Sequence, residues 1–357
     1  LIPVEYSREI IQNIPQRSRL LPMMRRLPNM SNKQYTIPVL SALPVASFVN
    51  GEANGTTNTA GKKSTTNAEW EGLTLTAEEL AVIVPIPEAV LADADYDIWG
   101  ELRPQIEEAF GVAIDAAILN GTGKPTSWPT AIIPGAKAAS NTVEVGTNKD
   151  LASDIIGVGG LMDKVESDGY RVNGFFGAGA FEAQLRDLRT TDNSFLYIPS
   201  MTSGVPSTIL GRPVQYDNQG IFDTTEALMV AGDFTKAVYS IRQDMTYKVL
   251  TEAVIQNTDG TIAYNLAQQD MVALRCVMRL GVQIANPVTR ANKTSSTRYP
   301  FAVLTPAATG PTSLTDPTEA RAAALSEVTE PTATAKTATA KTATAKTATA
   351  KTATAKK

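Results

Sequence analysis

Histidine is absent from this 357-residue chain. With it go Ser-His-Asp and Cys-His nucleophile pairs and zinc– or iron–imidazole sites, because histidine is the usual acid–base near neutral pH and the commonest metal ligand. Cysteine is almost absent. Cys276 is the only one, so the chain has neither an intrachain disulfide nor a thiolate cluster for a metal. Its neighbours Leu274 and Val277 predict a buried strand position rather than a reactive thiol. Long apolar runs are missing too. The best one, Leu80 to Ala92, is broken by Pro85, Pro87 and Glu88 and falls short of the roughly 20 apolar residues a spanning helix needs. No basic-then-apolar leader opens the chain.

What is present is enough for a sizeable core: 43% of the residues are apolar. Charge is unevenly spread. The net charge of −4 combines a C-terminal stretch holding six lysines and no acid (Pro331 to Lys357) with a body at −10. An acidic body argues against tight, sequence-specific DNA binding. It suits a wall that should not trap a polyanion packed behind it.

Residues 1–31 carry Pro3, Pro15, Pro22 and Pro28 and a basic cluster of Arg17, Arg19, Arg25 and Arg26. A short helix is expected from Ser7 to Ile14, and the rest reads as an extended arm that needs a partner surface to order it. Residues 33–84 alternate as two long strands, with Tyr35, Ile37 and Val39 leading out and Trp70, Leu73, Leu75, Leu80, Val82 and Val84 returning. Between them, Asn50 to Asn67 is rich in Gly, Asn, Thr and Lys and forms the tip of a hairpin. Such a hairpin cannot bury its faces alone, so it is expected to lie on a neighbouring subunit.

The strongest helix signal follows. Ile98, Leu102, Ile106, Phe110, Ile114 and Ile118 recur every four residues, with Asp97 as a cap and Asn120-Gly121 as the stop. Pro104 is expected to kink this helix or to open its main segment. Further on, helices are predicted over Asp150–Ser167 and Ala180–Arg189, and strands over Arg171–Phe176, Leu228–Ala231, Val238–Ile241, Tyr247–Ala253 and Met271–Leu280. Leu210-Gly-Arg-Pro-Val214 reads as a turn into a strand. Residues 306–330 form a linker with one helix, capped at Asp316-Pro-Thr-Glu319. The tail repeats Thr-Ala-Thr-Ala-Lys five times from Thr332 to Lys356. It has no apolar face in any period and is disordered on its own.

No motif survives as a catalytic or binding site. Gly121-Thr-Gly-Lys124 resembles a phosphate loop, but Ile118 stands where the first glycine belongs and Pro125 where Ser or Thr should hold magnesium. Gly157-Val-Gly159 and Gly177-Ala-Gly179 lack the third glycine of a dinucleotide fingerprint. Asp93, Asp95 and Asp97 have the spacing of a calcium loop, but Ile98 and Pro104 occupy its glycine and glutamate positions. Glu107 and Glu108 lie on the polar face of the long helix with no facing carboxylate indicated. No catalytic residue, cofactor or metal is expected. At the hairpin tip Lys62 and Lys63, and in the tail Lys336, Lys341, Lys346, Lys351 and Lys356, read as contacts to neighbouring subunits. The tail has no interleaved aromatics, which argues against base stacking.

The order of arm, long hairpin, long helix, mixed α/β region and returning strands resembles the tailed-bacteriophage capsid proteins of the Hong Kong 97 fold, over about residues 1–290. The segments that carry the resemblance are Ile118-Leu-Asn-Gly121, Arg186 to Tyr197, Leu210-Gly-Arg-Pro-Val214, Gly232-Asp-Phe234 and Gln269-Asp-Met-Val-Ala-Leu-Arg275. The resemblance implies an α+β fold with an N-terminal arm (1–32), an extended loop hairpin (33–84), a peripheral domain with a spine helix (85–121 and 244–277) and an axial domain (122–243 and 278–305). A linker with a short helix (306–331) and the repeat tail (332–357) follow. It also implies a major capsid protein that assembles as hexamers and pentamers into an icosahedral shell around double-stranded DNA. Portal, scaffold and decoration proteins are then partners, the virion is its location, and the host cytoplasm is where it assembles. In the founding member a hairpin lysine is joined to an asparagine with help from a glutamate. Lys62 or Lys63 supplies the lysine here, but the other two positions fall at Asp270 and near Val277, so no cross-linking is expected.

An encapsulin-type nanocompartment shell around a cargo enzyme shares the implied fold and is the main alternative. The basic arm and the repeat tail favour the virus. A carboxylate-based hydrolase or sugar-binding protein lacks a convergent acid motif. A surface-layer or adhesion protein, suggested by the Thr/Ala richness, lacks a leader.

Overall fold

The computed structural model describes residues 18–48, 65–93, 97–188, 207–257 and 259–307. The expected helices at 7–14 and within the linker, the hairpin tip and the repeat tail lie outside them.

The chain opens with β1 (Arg25–Arg26), β2 (Gln34–Ala42), β3 (Glu69–Thr76) and β4 (Glu78–Pro87), then α1 (Glu88–Asp93) and α2 (Ile98–Leu119). Next come α3 (Ile132–Ala138), β5 (Thr142–Glu144), α4 (Leu151–Ile156), α5 (Leu161–Ser167), β6 (Gly174–Ala178) and α6 (Phe181–Arg186). The last elements are β7 (Thr208–Ile209), β8 (Arg212–Asp217), β9 (Met229–Gly232), β10 (Ala237–Leu250), β11 (Val254–Gln256), β12 (Ile262–Asn265), β13 (Met271–Ile284) and β14 (Phe301–Thr305). They form a four-stranded sheet in the order β1-β10-β13-β4, a six-stranded sheet in the order β5-β14-β9-β6-β8-β7, and two-stranded sheets β2-β3 and β11-β12. This is an α+β architecture.

The inner strands of the six-stranded sheet carry its core. Phe175 and Phe176 on β6, Met229 to Ala231 on β9 and Phe301 to Leu304 on β14 are wholly buried. Leu161, Met162 and Val165 of α5 and Ile132, Ile133 and Ala136 of α3 are also buried in that core. In the four-stranded sheet, Leu274, Cys276, Met278, Leu280 and Val282 of β13 are buried in one core with Ile106, Phe110, Ile114 and Ile118 of α2. The four-residue apolar spacing read from the sequence is thus the buried stripe of α2. The helix stops as expected: Asn120 is its C-cap, and Gly121 follows at φ +84, in the left-handed region that glycine enters without steric cost.

Several local expectations are corrected. Asp97 holds the N-cap position of α2, but its side chain makes no capping hydrogen bond. Pro104 lies inside α2, past the first turn. The helix expected over 150–167 is two helices, broken at Gly157–Gly160. A Cβ on Gly160 would come within 2.8 Å of the Ser153, Asp154 and Gly157 carbonyls, so backbone packs where a continuous helix would put side chains. Asp150 caps α4 by accepting from Ser153 N, and bonding to the Ser153 hydroxyl and amide holds its carboxyl below the usual range. The two late strands expected at 238–241 and 247–253 are one, β10, whose register shifts between Ile241 and Thr246; the bulge disguises its continuity.

The hairpin is also redrawn. Its return half is divided at Ala77: β3 pairs only with β2, while β4 leaves the hairpin and pairs with β13 from Met271↔Pro87 to Leu280↔Glu78. The two-stranded hairpin therefore ends at Thr76 rather than near Val84. Each half alternates as a strand, but the apolar phase moves from Leu73 and Leu75 to Leu80, Val82 and Val84; the pattern marks a break there without naming the new partner.

Candidate assembly surface

The hairpin β2-β3 is largely exposed. Along one face of β3, burial fades with distance from the body: Leu75 is fully buried, Leu73 is half-buried, and Glu71 and Glu69 are exposed. Trp70, on the other face, is 67% exposed, and Val45 and Phe48 beyond β2 are exposed as well. The hairpin thus leaves apolar side chains in solvent and pairs with no third strand among the described residues.

The arm has its own socket. Residues 18–30, expected to need a partner subunit, are ordered on the chain's own body. Asp115, near the C-terminal end of α2 and fully buried, accepts from Ser18 Oγ (2.6 Å) and from the amides of Arg19 (2.8 Å) and Leu20 (3.3 Å). Burial pushes this carboxyl above its usual range, the three donors pull against that rise, and the Asp217 carboxylate adds to it. Leu20, Met24 and Met30 are buried. Arg25 and Arg26 pair in parallel with Val238 and Tyr239 of β10, and Ser240 Oγ donates to the Pro28 carbonyl at 2.6 Å.

A second buried polar cluster pins the connection between β13 and β14. Arg298, nearly buried, donates to Asn286 Oδ1, the Asn286 carbonyl and the Asn292 carbonyl, each at 3.0 Å. Asp168 accepts from Asn141 Nδ2, Asn292 Nδ2 and the Tyr299 amide. Tyr170 donates to Asn286 Oδ1 and the Pro287 carbonyl, and burial pushes its hydroxyl up to about 12. Burial also raises Tyr299. Apart from the buried Tyr299 hydroxyl, which has no hydrogen-bond partner among the described residues, these groups satisfy one another, so they read as structural.

Among the described residues, those singled out for chemistry have local partners or are buried. Lys124 turns its ammonium onto its own loop, donating to the carbonyls of Trp128 (3.2 Å) and Pro125 (3.4 Å). Glu108 accepts from Gln219 Nε2 at 3.4 Å. Cys276 is buried in β13, and burial raises its thiol. No group of three or more acidic or thiol side chains could hold a metal ion among the described residues. No described helix is long and apolar enough to cross a membrane. Asp270 sits exposed at φ 48 just before β13, and Val277 is buried within β13. Lys62, Lys63, Lys336, Lys341, Lys346, Lys351 and Lys356 lie outside the described residues, as does Asp95. Sequence reasoning missed the Asp115 socket; the one signal for it was an acid inside the apolar stripe of α2.

An exposed two-stranded hairpin, a docked arm and two sheets bridged by a long helix define a subunit whose working part is its surface. The profile of the phage capsid family matches residues 1–291, and the chain belongs to that family. It is 27% identical over 291 residues to the major capsid protein of Staphylococcus phage 80alpha, covering 79% of this chain and 81% of that one. Among solved structures it resembles a chain of Microbacterium phage Oxtober96 (36% identity, TM-score 0.73, covering 85% of this chain and 96% of that one). A chain of Mycobacterium phage Cain is similar at 30% identity and TM-score 0.73, covering 87% and 96%. The Hong Kong 97-like fold read from the sequence agrees with these neighbours. The protein is a tailed-phage major capsid protein, a self-associating component of the virion shell; no observation favours the encapsulin reading.

Proposed function

We propose that the chain assembles as hexamers and pentamers into an icosahedral shell that encloses double-stranded DNA, with portal, scaffold and decoration proteins as partners and the host cytoplasm as the place of assembly. Its role is structural rather than enzymatic. The observation that carries this reading is the β2-β3 hairpin, whose outer part stands exposed with Trp70 in solvent and has a surface to cover only if copies meet. Each contact can be weak, because a shell makes many at once.

In domain terms, β4, α2 and the far halves of β10 and β13 form the peripheral domain, with α2 as its spine. The six-stranded sheet and its helices form the axial domain. Lys62 and Lys63 at the hairpin tip, and the tail lysines from Lys336 to Lys356, contact the acidic bodies of neighbouring copies. Covalent cross-linking is not part of the proposal. A carboxylate at Asp270 has no amide nitrogen to lose, and Val277 cannot take up a proton. Particles boiled in detergent should run as a single-subunit band, and a ladder would contradict this.

Deletion of Asn50–Asn67 tests the reading. The subunit should remain soluble and folded by circular dichroism but form no stable particles by electron microscopy. Normal shells from that deletion would overturn the proposed role of the hairpin.

A further inference from the structure

The hairpin leaves the body by crossing a glycine. Leu280 and Val282 of β13 lie in the core with α2, so strand alternation puts Gly281 and Gln283 on the opposite face of the sheet. Fully buried Ser240 of β10 stands opposite Gly281. β4 pairs with β13 as far as Leu280↔Glu78, and there the chain turns through Ala77 into β3 and passes over Gly281. A Cβ built on Gly281 would lie 3.0 Å from the Thr76 carbonyl oxygen, 3.2 Å from its carbon and 3.4 Å from Met30 Sδ. The Met30 thioether can move aside, but the Thr76 contacts are backbone. Gly281 is not among the glycines with positive φ, so what this position needs is room, not a left-handed conformation.

Other contacts hold the same crossing. Gln283 Nε2 donates to the Thr74 carbonyl at 3.2 Å, and the Ala77 amide donates to the Lys33 carbonyl at 2.8 Å. From the arm, the Leu27 and Met30 amides donate to the Tyr239 and Ile241 carbonyls at 2.8 and 3.0 Å. Arm and hairpin base thus share the small surface that Ser240 and Gly281 offer. Beyond it β3 is stiffened by pairing with β2 from Gln34↔Thr76 to Ala42↔Glu69. A strand gains about 3.3 Å per residue, so a shift at Thr76, next to the turn at Ala77, grows roughly eightfold by Glu69. We propose that Gly281 is the positioning residue that sets the angle at which the hairpin leaves the sheet, with Gln283 as its tether. That angle decides whether copies of the chain can close into a shell. The inference rests on the shell-building reading and adds to it the residue that aims the hairpin.

The test measures the angle and assembly separately, in the full-length chain. Spin labels at E69C, paired in turn with K248C and R171C, report the angle in the unassembled subunit. All three positions are exposed, and the native Cys276 is fully buried. Gly281→Ala should shift at least one mean label distance by about 3 Å, and Gly281→Val by more, while amide protection in β6, β9 and β14 is kept. The yield of shells of unmodified diameter should fall by about tenfold or more, the effect of overpacking at a tight contact. A merely structural role would lower protection without moving the labels. Gln283→Ala adds no bulk, and it should broaden the label distances; Gln283→Glu, whose carboxylate cannot donate to the Thr74 carbonyl, should do the same. Unmoved labels in folded Gly281→Ala, or moved labels with normal shells, would overturn the assignment. If Gly281→Ala does not fold, unchanged label distances in Gln283→Ala would overturn it instead. Unmodified chain assembled in parallel separates the two claims: without particles from it the shell-building reading fails, and the label distances still decide the role of Gly281.

Discussion

Asp115 shows how much one side chain can organise. It is fully buried, and it holds three donors of the arm against the C-terminal part of α2. Replacing it with alanine strands the Arg19 and Leu20 amides, at a cost of about 1–3 kcal/mol. Asp115→Asn keeps an acceptor for the amides and a donor for Ser18 Oγ, and should cost less than about 1 kcal/mol. Hydrogen exchange at the Leu20 amide separates the two: protection should fall sharply in the alanine variant and little in the asparagine one. The pH dependence has a definite sign. Burial raises this carboxyl above its ordinary 3.8, so the folded state binds the proton more tightly than the unfolded chain. That contribution is full below 3.8 and lost as pH rises through the folded value. Wild type should therefore gain stability relative to Asp115→Asn as pH falls from neutral toward 4, and a difference that stays flat or runs the other way would contradict the account. In the sequence Asp115 is only an acid among Ile114, Ala116 and Ala117. The pattern marks it as anomalous, but its partners lie almost a hundred residues earlier, where no local rule can find them. Cys276 was the opposite case: its apolar neighbours were enough to place it in a buried strand.

At the scale of elements, legibility followed locality. The stripe of α2 and its Asn120-Gly121 stop were plain because periodicity and capping act over four residues. The turn at Leu210-Gly211, with φ 48 and φ 73, was equally plain, since a left-handed turn has its own chemistry. Strand partnership was not. The apolar alternation changes phase between Leu75 and Leu80, but only the pairing shows that Ala77 separates a hairpin strand from an edge strand of a different sheet. The short elements α3, β5, β11, β12 and β14 left no pattern long enough to read. The division at Ala77 has a measurable consequence. Leu75, fully buried at the hairpin base, anchors β2-β3 to the body. Leu75→Ala should cost about 2–5 kcal/mol and selectively lower amide protection in β2 and β3, while β6, β9 and β14 keep theirs. Uniform loss across all strands would mean that the hairpin does not open as a separate unit.

For the whole molecule, the absences in the sequence were as informative as the motifs. Without histidine, a cysteine pair or a convergent acid cluster there was little room for a catalytic centre, and the ordered succession of arm, hairpin, long helix and returning strands pointed to a shell subunit. The family match over residues 1–291 agrees with that reading. The places where copies meet were less legible. The lysines proposed as contacts at the hairpin tip and in the tail were conspicuous in composition. The most direct test of the central claim is electron microscopy of the purified, recombinantly expressed chain. Closed icosahedral particles with hexameric and pentameric clusters are the predicted result. Uniform monomers or small oligomers even when a scaffold protein is co-expressed, with the subunit folded, would contradict the claim that this chain builds the shell.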